Sequence, residues 1–136
     1  MSIVMIYSSG TGATKTLFEG ISKVLENSKV FSVKDVEADD LKDAELVVIG
    51  SPTYFLGARK DLLRCLESLK DHFNGKNVAI IALYAIAGVD TNIEQIKSIL
   101  KNANFLGELK LRVLWFRKPT NDDVNSAISF IKSFIQ

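Results

Sequence analysis

At 136 residues and 47% hydrophobic content, residues 1–136 make a chain of the length expected for one domain with a full core, and no second domain is expected. Its 17 basic and 16 acidic side chains leave a net charge of +1, which excludes the basic field that tracks a phosphodiester backbone and argues against nucleic acid as a partner. One cysteine and one histidine exclude a disulfide framework and an ordinary zinc or iron–sulfur site.

Met1 runs directly into IVMIY (3–7), a continuous apolar stretch that predicts a strand. It carries neither the basic lead of an export signal nor the roughly 18 apolar residues of a membrane span. A cytoplasmic protein without a membrane span is the expectation. After the glycine-rich segment SSGTGATK (8–15), Thr14, Leu17, Phe18, Ile21, Val24 and Leu25 recur at helical spacing. VFSVKDV (30–36) alternates and predicts a second strand, and LVVIG (46–50) is continuous and predicts a third. Only a short, weakly periodic segment (37–45) joins them. Leu62, Leu63, Leu66, Leu69 and Phe73 mark a second helix, and VAIIALY (78–84) a fourth strand. Ile93, Ile96, Ile99 and Leu100 mark the next helix, LKLRVLWF (109–116) a fifth strand, and Val124, Ala127, Ile128 and Ile131 a last helix.

Strands alternating with helices in this way predict an α/β fold, a doubly wound five-stranded parallel sheet with helices on both faces. Continuous apolar runs suit strands buried on both faces, which places strands 1, 3 and 4 in the centre. Ser32 and Lys34 in strand 2, and Lys110 and Arg112 in strand 5, suit the edges. The order 2-1-3-4-5 follows. In such a sheet ligands bind beyond the carboxyl ends of the strands where the order reverses, here between strands 1 and 3. The loops that matter are therefore 8–14, 51–59 and 84–91.

The first loop opens a helix, whose unpaired N–H groups and dipole favour an anion, and Ser8, Ser9, Thr11 and Thr14 add hydroxyls. Gly and Ser are also ordinary turn and cap residues, so the loop alone does not establish a ligand. A nucleoside triphosphate loop needs G-x-x-x-x-G-K-S/T, and Thr14 stands where the glycine must precede Lys15. A dinucleotide fingerprint needs a third glycine where Lys15 stands, although Asp35 could imitate its ribose-binding acid. A phosphoacceptor receiver domain shares the strand order, and Lys118-Pro119 resembles its lysine-proline pair. It would need an aspartate where Gly50-Ser51-Pro52 stands and magnesium-binding acids where Ser8-Ser9 stands.

Ser9-Gly10-Thr11-Gly12-Ala13-Thr14 resembles the S/T-x-T-G-x-T phosphate loop of the flavodoxins, small electron carriers that hold flavin mononucleotide (FMN). IGSPTYFLG (49–57) is similar to the family's second flavin loop, and ALYAIAGVD (82–90) to its third, so the resemblance covers essentially the whole chain. It implies a short-chain flavodoxin-like protein that exchanges electrons with redox partner proteins, a reductase and an acceptor. A small FMN-dependent reductase of a quinone, porphyrinogen or similar acceptor is the alternative, and a flavin-free interaction domain of the same fold a third class. The resemblance assigns hydroxyl bonds to the FMN phosphate to Ser9, Thr11 and Thr14, with Ser8 beside them, and amide bonds to Gly10, Gly12, Ala13 and Thr14. Pro52, Thr53, Tyr54 and Phe55, with Leu56, and Tyr84, Ala85, Gly88 and Asp90, with Ile86 and Ala87, fall on the ring loops. Tyr54 and Tyr84 are the best ring contacts. Gly57 is the nearest candidate for the family's glycine whose peptide turns to offer its carbonyl to N5 of the one-electron-reduced flavin, because glycine tolerates both signs of φ.

Three features depart from the family pattern. Ala13 replaces a common asparagine and removes one side-chain bond to phosphate. The third loop lacks tryptophan, the lone Trp115 falling in the fifth strand. The family tends to be acidic, whereas this chain has a pI near 7.8 and places Arg59-Lys60 directly after the second loop, cations that would ease formation of an anionic reduced flavin. Cys65, His72 and Ser51 belong to no nucleophile or acid–base constellation, since Ile49 stands where a G-x-S-x-G elbow needs glycine. No metal site and no catalytic side chain are assigned.

Overall fold

A computed structural model of the chain describes residues 2–54, 56–114 and 117–135. Strand β1 (Ile3–Tyr7) leads into helix α1 (Ala13–Ser22), and β2 (Ser28–Ser32) into the single turn α2 (Ala38–Leu41). Strand β3 (Leu46–Tyr54) folds back on the two-residue β4 (Gly57–Ala58) before α3 (Lys60–Leu69) and a 3₁₀ turn (Lys70–Phe73). Strand β5 (Asn77–Tyr84), helix α4 (Val89–Ile99), strand β6 (Asn104–Arg112) and helix α5 (Asn121–Lys132) complete the chain.

Five parallel strands lie in the order β2-β1-β3-β5-β6, the expected order with the strands renumbered to admit β4, which pairs antiparallel with β3 outside that series. Because successive strand residues point to opposite faces, the central strands feed two apolar layers. Val4, Ile6, Val47, Ile49, Ile80 and Ala82 pack with α2, α3 and α4 residues such as Leu41, Leu62, Leu66 and Ile96. Ile3, Met5, Val48, Ile81 and Leu83 pack on the other face with Leu17, Phe18 and Ile21 of α1 and Ala127 and Ile131 of α5. Residues of the three central strands on both faces are buried, as their continuous apolar runs required.

The edge strands differ from their expected bounds. β2 spans 28–32 rather than 30–36, because Ser32 ends it: its carbonyl accepts from the N–H groups of Asp35 and Val36, and its hydroxyl donates to Asp35 at 3.1 Å, closing a turn. β6 spans 104–112 rather than 109–116. Its first half, NFLGE, pairs with β5 through a register shift at Val78/Ala79 and lies partly exposed, so no apolar run announces it. Trp115 lies outside the described residues. β3 extends four residues beyond LVVIG, to Tyr54; β1 ends at Tyr7, opposite Gly50, so Pro52 pairs only with β5. Among the described residues no helix is long and apolar enough to cross a membrane.

Candidate functional site

Because β1 stops opposite Gly50 while β3 and β5 run on, the carboxyl ends of the central strands form a step on which loops 8–14, 51–58 and 84–88 converge. A cleft of about 610 Å³ lies there, within the size range of small-molecule sites. Thr11 and Ala13 line its first-loop end, Pro52, Thr53, Tyr54 and Leu56 one side, and Tyr84, Ala85, Ile86 and Ala87 the other. Leu56 and Ile86, 65% and 76% exposed, stand at the rim.

The first loop is shaped by Gly12, whose φ of 95° favours glycine, and its carbonyl accepts the Thr16 N–H at 2.9 Å to begin α1. Ser9 Oγ accepts the Gly12 N–H at 3.0 Å, so these two groups satisfy each other within the loop. Ser8 is buried and donates its hydroxyl to Asp61 at 2.6 Å. Thr14, in the first turn of α1, is 1% exposed, and its Oγ1 has no hydrogen-bond partner among the described residues. A buried hydroxyl left without a partner costs about 1–3 kcal/mol, so this atom sits where an acceptor or donor from outside the chain would be stabilising. At Gly10 a Cβ would overlap the Tyr54 hydroxyl and Arg59 Nη1, which places the ends of both side chains against the loop backbone.

The second loop is a tight turn. Tyr54 pairs with Gly57 and Thr53 with Ala58, and the left-handed conformation falls on Leu56, with φ 72°, rather than on Gly57, which is buried in β4. Phe55 lies outside the described residues. Helix α4 supports this turn from the far side. Asn92, fully buried, accepts the Ser51 hydroxyl at 2.5 Å and donates to the Ser51 carbonyl at 3.1 Å and to Thr53 Oγ1 at 2.9 Å. Gln95 Oε1 accepts the Ala58 N–H at 2.8 Å. Gly88, with φ 89°, packs so closely that a Cβ there would overlap the Leu56 backbone.

The third loop is held by the chain leaving β6: Arg112 Nε donates to the Ala85 carbonyl at 3.0 Å, and the Val113 N–H to the Tyr84 carbonyl at 2.8 Å. Val113 and Leu114 also line the cleft. Asp90 does not face it. Its carboxylate is exposed in the first turn of α4 and pairs with Lys110 at 2.6 Å, an arrangement that raises the lysine's pKa.

Arg59 links the first and second loops. Its Nε and Nη2 donate to Asp61 at 3.2 and 3.3 Å, and its guanidinium carbon stands 5.0 Å from the Tyr54 ring centroid. Burial pushes the Asp61 carboxyl up, but the bonds from Arg59 and Ser8, the Arg59 charge and the Leu62 N–H outweigh it, and the group titrates below its ordinary value. The same Asp61 bond raises the Arg59 pKa, so the pair stays ionised at neutral pH. Lys60, by contrast, is exposed to solvent.

The sequence pattern placed Thr11, Ala13, Pro52, Thr53, Tyr54, Tyr84 and Ala85 in loops that do meet at this cleft. It missed Asp61, Asn92, Gln95 and Arg112, whose partners are distant in sequence. Only Asn92 left a signal, as a polar residue one position before Ile93 on the buried stripe of α4.

The cleft walls are aliphatic and aromatic and Thr14 Oγ1 has no partner at the glycine loop, features that fit the flat ring and phosphate tail of FMN. A family model described as a flavodoxin domain matches residues 4–115. A flavodoxin from the domain Archaea is 22% identical, with 100% of each chain covered and a TM-score of 0.77. Oxidised flavodoxin 1 from Bacillus cereus is 21% identical over 99% of this chain and 97% of its own, with a TM-score of 0.72. Fusobacterium nucleatum flavodoxin bound to flavin mononucleotide is 16% identical over 99% of each chain, with a TM-score of 0.73. These likenesses show the fold. No curated protein matches the chain.

Proposed function

Since the chain belongs to the flavodoxin family, we propose that it binds FMN non-covalently in the cleft at the carboxyl edge of its sheet and serves as a cytoplasmic carrier of electrons between redox partner proteins. The observation that carries this reading is Thr14 Oγ1, buried and unpartnered at a glycine loop that opens onto an apolar cleft. Thr14 and Thr11 would bond the phosphate oxygens, and the N–H groups of Gly10, Ala13 and Thr14 would add the donors of a helix N-terminus. The Ser9 hydroxyl and Gly12 N–H would turn from each other to the phosphate at little net loss, one hydrogen bond being exchanged for a charge-assisted one.

Tyr84, and the Tyr54 ring whose hydroxyl reaches back to Gly10, would flank the isoalloxazine ring, and the backbone of Pro52, Thr53 and Ala85 would meet its polar edge. FMN bound there would supply an acceptor and donor of single electrons, while Tyr54 and Tyr84 would cover the ring faces and the backbone of Pro52, Thr53 and Ala85 would fix its edge. The Leu56–Gly57 turn is where a carbonyl could face the ring edge, and Gly88 and α4 hold that turn in place.

The exposed rim residues Leu56 and Ile86 favour keeping a reductase of a small acceptor as the second reading, because their apolar side chains stand open to solvent beside the cleft. Incubating FMN-loaded protein anaerobically with nicotinamide cofactor separates the two. A carrier is reduced only when a separate reductase is added, whereas prompt oxidation of the nicotinamide by the protein alone supports the reductase. No flavin absorbance retained after desalting would remove both.

A further inference from the structure

The phosphate loop of this fold can hold a dianion with neutral groups alone, yet here a guanidinium reaches it. Arg59 precedes α3, and its Nε–Nη2 edge is turned towards Asp61. Asp61 is itself fixed by the Ser8 hydroxyl, at the start of the loop, and by the Leu62 N–H at 2.7 Å. The Tyr54 ring lies under the guanidinium. The Tyr54 hydroxyl also bonds the guanidinium, and it and Nη1 together meet Gly10, two residues from the left-handed Gly12 and four from the unpartnered Thr14.

We propose that Arg59 is a specificity-determining residue of the phosphate subsite, held in place by Asp61 and Tyr54, and that it selects a flavin carrying a phosphate over one that lacks it. The inference rests on the FMN reading and names a residue beyond the loop motif. Asp61 neutralises much of the guanidinium's distant field, so the effect is a local charge-assisted hydrogen bond from Nη1 rather than a long-range attraction. A guanidinium oriented by a carboxylate and an aromatic face has little freedom left to lose when it meets an anion. Lys15, also basic and next to Thr14, is exposed, and provides the comparison for charge without placement.

The test is the dissociation constant of FMN and of riboflavin, by quenching of flavin fluorescence, for the wild type, Arg59→Gln and Lys15→Gln. Arg59→Gln should weaken FMN about tenfold to a hundredfold, the range for a hydrogen bond to a charged group, and leave riboflavin unchanged; Lys15→Gln should alter neither. An unchanged FMN-to-riboflavin ratio in Arg59→Gln overturns the assignment, and so does an equal loss in Lys15→Gln, which would reduce the effect to net charge. Should Arg59→Gln not fold, Arg59→Lys still decides: it keeps the charge but loses the planar fork that Asp61 orients, so its preference for FMN over riboflavin must fall, and an unchanged preference overturns the proposal. Absence of FMN binding by the wild type would instead bring down the underlying reading, a separate result.

Discussion

Within residues 9–14 the chain keeps its shape with groups a few positions apart: Ser9 Oγ accepts from Gly12, and Gly12 from Thr16. Within residues 51–58 the supports come from far along the chain, from Asn92, 41 positions beyond Ser51, and from Gln95, 37 positions beyond Ala58. The glycine-loop end of the cleft is thus a local construction in backbone, and the end lined by residues 51–58 is a surface assembled by tertiary contacts. The first can be read as a motif because its geometry is specified by which residues lack a Cβ or carry a hydroxyl. The second depends on helix α4, so its failure should be a failure of folding as much as of binding.

Asn92→Ala should break this comparison most severely. It leaves Ser51 Oγ, the Ser51 carbonyl and Thr53 Oγ1 without their partner in a buried setting, at a cost of about 2–4 kcal/mol. Denaturant unfolding should show this loss, and FMN affinity should fall with it. Thr14→Val should act in the opposite sense on the two quantities. Removing an unpartnered buried hydroxyl leaves apo stability equal or higher, while loss of a bond to a charged phosphate weakens FMN by about 1.5–3 kcal/mol. Parallel losses of stability and affinity in Thr14→Val would mean that the hydroxyl is structural.

Gly88→Ala sharpens the contrast further when paired with Gly75→Ala. Both glycines are left-handed, at φ 89° and 75°, so each substitution carries about 1–2 kcal/mol of conformational cost. Only at Gly88 would the new Cβ meet backbone, that of Leu56, whereas Gly75 has nothing within 4 Å. Thermal melting should therefore place Gly88→Ala below Gly75→Ala, and only the former should lose flavin affinity. The smallest effect is one of pH. Asp61 titrates below its ordinary value of 3.8 in the folded protein, so its contribution to stability is in place above about pH 4 and lost as pH falls through the lowered folded value. Unfolding curves between pH 6 and about 3 should show that loss in the wild type and less of it in Asp61→Asn.

The same division explains what the sequence made legible. The central strands were visible because burial on both faces demands unbroken apolar runs such as LVVIG and VAIIALY, and the sheet order followed from which strands carried charge. Edge strands lack that demand: Asn104–Glu108 pairs with β5 while reading as loop, and a hydroxyl at Ser32 ends β2 where alternation continued. β4, two residues long, has no period to detect. At the site, Gly12 has the left-handed conformation that its place in the glycine loop suggests, whereas in the second loop that conformation falls on Leu56, beside Gly57. Spacing also put Asp90 on the third loop, whereas it lies in the first turn of α4 and pairs with Lys110 of β6 at the surface. The sequence shows Arg59 as a cation directly after the second loop, and only the fold brings Asp61, Tyr54 and Gly10 around it.

The measurement that bears most directly on the account is titration of the flavin-free wild-type protein with FMN and, separately, with riboflavin, followed by flavin fluorescence. The account predicts saturable binding of one FMN per chain, with riboflavin markedly weaker because the groups around Thr14 meet no phosphate. Equal affinity for the two flavins, or no binding of FMN, would contradict it.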